Sequence, residues 1–151
     1  MLHCARPGCP RGFDGEAAMK DSRAKIFWRV LLALFYLLAG IAHLRSPAGF
    51  LAITPGWVPY RECVVAATGI AEIAGAVGLM IPRLRYAAGA GLALYALCVW
   101  PANIHHMVND IEIAGRTASM WYHGPRMIAQ PVIIWLALWV GTVTSWPFRR
   151  G

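Results

Sequence analysis

Charge is scarce in this chain. Only 14% of its residues are Asp, Glu, Lys or Arg, while 58% belong to the set AVILMFWYC. That balance is too apolar for an ordinary soluble domain, and 151 residues leave room for a single domain. Cysteine is also sparse. Cys4, Cys9, Cys63 and Cys98 form no C-x-x-C pair, so a thioredoxin-type or zinc-ribbon site has no support. His105, His106, Asp110 and His123 cluster in sequence, but no second ligand pair stands at fixed spacing, and no metal is expected. The formal charge of +7 would suit a nucleic-acid binder. The basic residues, however, fall outside or at the ends of apolar runs rather than along one polar helix face. A membrane protein with charged flanks explains that distribution, and no nucleic-acid partner is expected.

What the chain does have is long apolar runs. The most informative is residues 63–81, CVVAATGIAEIAGAVGLMI, which is apolar or small except for Thr68 and Glu72. Nineteen such residues suffice to cross the hydrocarbon core of a bilayer as a helix. A carboxylate at the midpoint is costly there, so Glu72 should face a helix-bundle interior or a cavity and have a partner. A preceding run, residues 26–44, forms a first span, with Arg29 in its first turn expected to snorkel to the headgroups. Its rival is a signal peptide with Gly40 and Ala42 before the cut, but the apolar core and the leader are both long for one. Residues 45–62 hold Pro47, Pro55, Gly56 and Pro59 among aromatic and aliphatic residues, which predicts an irregular interfacial segment. After a basic turn at Arg83 and Arg85, a third span runs over residues 86–107 with a kink at Pro101. Residues 108–124 read as a polar connector and residues 125–146 as a fourth span.

The expected architecture is therefore all-α: an integral membrane four-helix transmembrane bundle over residues 26–147. Residues 1–25 read as a disordered cytoplasmic leader, with Met19 an alternative start, and residues 148–151 as a basic cytoplasmic tail. With the N-terminus inside, ten Lys and Arg residues lie on the cytoplasmic side, and only Arg45, Arg61, Arg116 and Arg126 lie outside. Both termini are then cytoplasmic and the location is the bacterial inner membrane.

This topology brings polar residues of all four spans to the outer half. Glu72 lies about 13 Å below Cys63 at 1.5 Å per residue. The candidate pocket consists of His43, Glu72, Trp100, Asn103, His106, Arg126 and Gln130, with Arg126 a candidate charge partner for Glu72. Small-residue stripes, Ala67-Ala71-Gly75 and Ala87-Gly91, would let the helices approach closely. Each residue also has a plainer role: Glu72 as a protonated clasp, Arg126 as a headgroup anchor, Asn103 as a partner for backbone groups freed at Pro101, Gln130 as interhelical glue. The tryptophans read mainly as lipid-facing or interfacial.

The residues resemble one family in order and spacing. Ala39-Gly40-Ile41-Ala42-His43 is followed by Pro47, Phe50, Ile53, Pro55 and Pro59, then by Gly69-Ile70-Ala71-Glu72 and Leu79 through Arg85. Pro101-Ala102-Asn103 and the set Arg126, Gln130, Pro131 and Trp135 complete the pattern. Over residues 30–139 the chain resembles the DoxX-like family of small four-helix membrane proteins, of the DoxX/DoxD group. Trp100 departs from the Phe usual before the P-A-N motif, and the His105-His106 pair is a further departure. The resemblance implies His43, Glu72, Asn103, Arg126 and Gln130 as recurring polar positions. It also implies kinship with proteins associated with thiosulfate–quinone oxidoreduction or membrane oxidoreductase complexes, but supplies no reaction. The expected function is binding of a quinone- or lipid-like molecule in the outer-half pocket, as an accessory subunit to a soluble or membrane oxidoreductase, with membrane lipids around it. The alternatives are a scaffold whose polar residues are interhelical glue and, with less support, a proton-coupled transporter.

Overall fold

The structure, a computed structural model, describes residues 22–109 and 120–145. The leader through residue 21, with Cys4 and Cys9, lies outside the described residues. So do Asp110, Glu112 and Arg116 of the connector, Trp146, and the basic tail. Among the described residues all regular structure is helical: α1 (Arg23–Arg45), α2 (Pro47–Ile53), α3 (Arg61–Met80), α4 (Arg85–Val108) and α5 (Met120–Val140). Three of them, α1, α3 and α4, are long and apolar enough to cross a membrane.

Local chemistry sets the boundaries. Ser22 caps α1 by accepting a hydrogen bond from the Lys25 backbone N–H at 3.2 Å, so the helix begins inside the expected leader. The segment expected to be irregular contains a helix after all, because Pro47 stands in the first turn of α2, where its missing N–H costs nothing. Tyr60 enters α3 in the left-handed region, at φ 49°. Pro101 lies within α4, as expected. The last helix starts five residues before Pro125 and stops at Val140, well short of residue 146. Its end is dictated by a close approach: a Cβ on Gly141 would lie 2.6 Å from Gly89 Cα, and Thr142 turns the chain away at φ 63°.

The four long helices pack in a ring, α1 on α3, α3 on α4, α4 on α5 and α5 back on α1. One end of this ring is solid. Leu32, Ala33, Ala76, Leu79, Leu92, Ala93, Ala137 and Val140 form a continuous core there. Arg29 belongs to this end and does not snorkel. It is 3% exposed, and its Nε donates to Val140 O at 3.0 Å. The final carbonyls of a helix lack intrahelical donors, which gives the guanidinium a better partner inside than out.

The expected small-residue stripes are displaced. Ala67, Ala71, Ala87 and Gly91 are exposed, and a Cβ on Gly91 would meet nothing within 4 Å. The packed faces are instead Val65-Gly69-Glu72-Ala76-Leu79 on α3 and Gly89-Leu92-Ala93-Ala96 on α4. Gly75 does pack, against Leu92. A second close crossing joins α1 to α3, where a Cβ on Gly40 would lie 2.6 Å from Gly69 O.

Candidate functional site

The other end of the ring is hollow. A cavity of about 530 Å³ lies between the C-terminal half of α1, the N-terminal half of α3, the C-terminal half of α4 and the N-terminal half of α5. Residues of α2 and the following loop, among them Phe50, Ile53, Pro55 and Trp57, complete its wall. The size is in the range that accommodates a small organic ligand. Five of the seven sequence-derived candidates line it: His43, Glu72, Asn103, Arg126 and Gln130.

Two separate polar groups form along the cavity. The first centres on Glu72, which is 5% exposed. Its Oε1 accepts a hydrogen bond from Tyr95 OH at 2.8 Å, while Oε2 is buried without a hydrogen-bond partner. His43 Nε2 stands 3.8 Å from that oxygen. The other ring nitrogen of His43, Nδ1, lies 2.9 Å from Thr68 Oγ1, and the Phe50 ring covers the imidazole at 3.7 Å between centroids. Tyr36 stands beside this group with its ring edge-on to Tyr95, and its hydroxyl is also buried without a partner.

The second group is closed on itself. Arg126 donates from Nη2 to Asn103 Oδ1 at 2.6 Å and from Nη1 to His106 Nδ1 at 3.0 Å. Asn103 Nδ2 donates to Gln130 Oε1 at 3.2 Å, and Gln130 Nε2 donates to Ala96 O at 2.5 Å. An arginine only donates, so His106 Nδ1 must hold a lone pair. The expected ion pair is absent: Arg126 binds Asn103 and His106, and the ionisable neighbour of Glu72 is His43. The reason is axial position. Tyr95, which holds Glu72, and Asn103, which holds Arg126, are eight residues apart on α4, about 12 Å along the helix.

Asn103 likewise does not serve the backbone around Pro101; Gln130 reaches the carbonyl of Ala96 in that region instead. His106, 1% exposed, is a positioning residue behind Arg126, outside the cavity wall. Trp100 is half-buried and not part of the wall, and its indole Nε1 is buried without a hydrogen-bond partner. His123 packs edge-on to His106 at 4.8 Å between centroids. Among the described residues no three His, Cys, Asp or Glu side chains converge as metal ligands. Cys63 and Cys98 are free thiols.

Sequence reading missed Tyr95 and Tyr36. Both carry a polar atom on an otherwise apolar run, and Tyr95 lies one turn and a half before Pro101, so a search for polar atoms rather than polar residues would have found them.

No curated protein and no solved structure matches the chain. Residues 32–141 match the model of a domain of unknown function, DUF8561, which spans the ring of helices and the whole cavity. The chain therefore belongs to the DUF8561 family.

Proposed function

We propose that this protein is a four-helix transmembrane bundle of the DoxX-like kind that binds a quinone- or lipid-like amphipath in the cavity. The single observation that carries the reading is the cavity itself, about 530 Å³ lined mainly by aliphatic and aromatic side chains, with the polar residues His43, Thr68, Glu72 and Tyr95 gathered in one part of its wall. An apolar space with a few convergent polar groups is what an amphipathic ligand requires.

In this reading α5 is the fourth span. Its 21 residues extend about 31 Å, which matches the hydrocarbon thickness. The Lys and Arg bias supports a reading in which both termini are cytoplasmic and the cavity lies in the outer half of a bacterial inner membrane. The motif order around His43, Glu72, Pro101-Ala102-Asn103 and Arg126 supports the DoxX-like assignment, and with it a role as accessory subunit to an oxidoreductase. Glu72 and His43 would meet the ligand's polar head, and the cavity's aliphatic and aromatic walls its apolar part.

A second reading, a ligand-free scaffold for a partner enzyme, draws on the other polar group. The chain Arg126–Asn103–Gln130–Ala96 is satisfied within the protein and acts as interhelical glue. One experiment separates the two. The full chain is purified gently from its own membrane, examined by native mass spectrometry and extracted for lipids and quinones. The binding reading expects a stoichiometric small molecule that is lost in Glu72→Gln and His43→Ala. An empty protein that brings down an oxidoreductase would sink that reading in favour of the scaffold.

A further inference from the structure

We infer that the ligand is an anion, a single-chain acid whose oxyanion, such as a carboxylate, is held by Arg126. The inference rests on the binding reading above and gives its ligand a charge. The acid is a group additional to the head that His43 and Glu72 would meet.

The argument begins with a charge that the protein does not answer. A guanidinium keeps its proton in a protein, so Arg126 puts a fixed cation into a wall that is otherwise mainly apolar. Its hydrogen-bond acceptors are Asn103 Oδ1 at 2.6 Å and His106 Nδ1 at 3.0 Å. Its Cζ lies 5.4 Å from the centre of the Tyr122 ring. All three partners are neutral. The acids among the described residues are Glu62 and Glu72. Glu62 is exposed in the first turn of α3. Glu72 is held by Tyr95, about 12 Å along α4 from the level of Asn103. Neither forms an ion pair with Arg126, and the ionisable neighbour of Glu72 is His43. The network around Arg126 thus satisfies its acceptors and leaves the positive charge uncompensated. Such a cation at membrane depth is costly without a counter-ion.

The free donors say what kind of counter-ion fits. A guanidinium carries five N–H groups, and Asn103 and His106 take one each. The Nε–H and one hydrogen on each terminal nitrogen remain. Arg126 is half-buried and lines the cavity beside Asn103, Ala129 and Gln130. Its Nε makes no hydrogen bond and is accessible, whereas the open oxygen of Glu72 is closed off. A carboxylate or phosphate accepts the Nε–H and a neighbouring terminal hydrogen as two parallel, charge-assisted bonds. Because both terminal nitrogens are already pinned, the plane of the guanidinium is set before a ligand arrives. Little ordering cost is then left to binding.

The rest of the wall selects the body of the acid. Val99, Ala102, Ala129 and Ile133 are apolar and belong to the same two helices as Asn103 and Arg126. They suit a hydrocarbon chain leaving the oxyanion. A space of about 530 Å³ is of the size that takes a small organic molecule, which fits one chain and its head rather than a two-chain phospholipid.

The test uses three probes with one chain and different heads: dodecanoate, 1-dodecanol and dodecyltrimethylammonium. Each is titrated into the full chain in phosphatidylcholine nanodiscs, with the acid ionised, and followed by tryptophan fluorescence. Affinities are compared as mole fractions in the bilayer, which removes differences in partitioning. Dodecanoate should bind about tenfold tighter than the alcohol, the effect of one hydrogen-bonded charge, and the cation should bind weakest. In Arg126→Gln the advantage of the acid should fall to about twofold or less while the affinity of the alcohol holds. The wild-type series decides the sign of the site even if Arg126→Gln does not fold. Equal binding of acid and alcohol, or tighter binding of the cation, overturns the inference and leaves the binding reading standing. A preference that survives in folded Arg126→Gln overturns the role of Arg126. Loss of dodecanoate binding when phosphatidylglycerol replaces phosphatidylcholine assigns the site to a membrane headgroup and overturns the single-chain acid. Binding of none of the three probes sinks the inference together with the reading beneath it.

Discussion

The crossing of α1 and α3 at Gly40 and Gly69 gives the sharpest stability prediction. An alanine methyl at Gly69 would lie 2.8 Å from His43 Cβ, 3.0 Å from Gly40 O and 3.2 Å from Leu44 Cγ. Ordinary carbon–carbon contacts are about 3.5–4.0 Å, so α1 must withdraw by roughly 0.7 Å or more. Overpacking of this kind costs about 1–3 kcal/mol. Gly40→Ala should fall at the upper end, because the methyl would meet the backbone oxygen of Gly69 at 2.6 Å and a carbonyl cannot rotate away as a side chain can. The double variant should cost less than the sum, since both methyls enter one gap that the first has already opened. Gly91→Ala is the control: it meets nothing within 4 Å and should be neutral or slightly stabilising. The assay is reversible unfolding from detergent micelles by added dodecyl sulfate, followed by circular dichroism. If Gly40→Ala and Gly69→Ala were as stable as Gly91→Ala, the close crossing would be wrong. The same withdrawal would carry His43 off Thr68, so ligand binding should weaken in parallel.

Three further outcomes follow from contacts described above. Tyr95→Phe keeps the ring but removes the donor to Glu72 Oε1, and should lower stability in the same assay by about 1–3 kcal/mol; a loss under about 0.3 kcal/mol would mean that the bond is not made. Arg126→Lys keeps the charge but cannot reach Asn103 and His106 with one planar fork, so it should cost about 1–2 kcal/mol, and Arg126→Lys as stable as wild type would refute the two-pronged contact. Cys63, exposed at the start of α3, should react in intact spheroplasts with a membrane-impermeant maleimide, whereas Arg83→Cys in a background lacking Cys4, Cys9, Cys63 and Cys98 should react only after lysis. The reverse pattern would invert the proposed topology.

The helices were legible because apolar runs of bilayer length admit few other readings. Their ends were less so. α5 takes Pro125 and Pro131 into its interior, where a proline would be expected to break a helix, and it stops at Val140 because Gly141 meets Gly89, a contact between residues 52 positions apart in sequence. The stripes went astray for a different reason. Small residues are so frequent in α3 and α4 that several small-xxx-small patterns coexist, and their spacing does not say which one faces inward. Glu72 does: steps of three and four from it pass through Gly69, Val65, Ala76 and Leu79, the face that is buried. The site was legible as a set of residues and not as a set of pairs. Polar side chains in apolar helices identify themselves, but whether Glu72 meets Arg126 or Tyr95 depends on axial register between helices.

The Phe50 ring over His43 belongs to a single continuous stretch, residues 46–60, that connects α1 to α3 and closes the cavity from one side. None of the solid core at the opposite end comes from it. The stretch covers one side of the cavity without taking part in the packed end of the ring. If the cavity binds a ligand as proposed, changing the aromatic residues of this stretch would alter which molecules fit, at little cost to the ring beneath. Specificity in such a design can diversify through one short segment while the helices that keep the protein folded stay as they are.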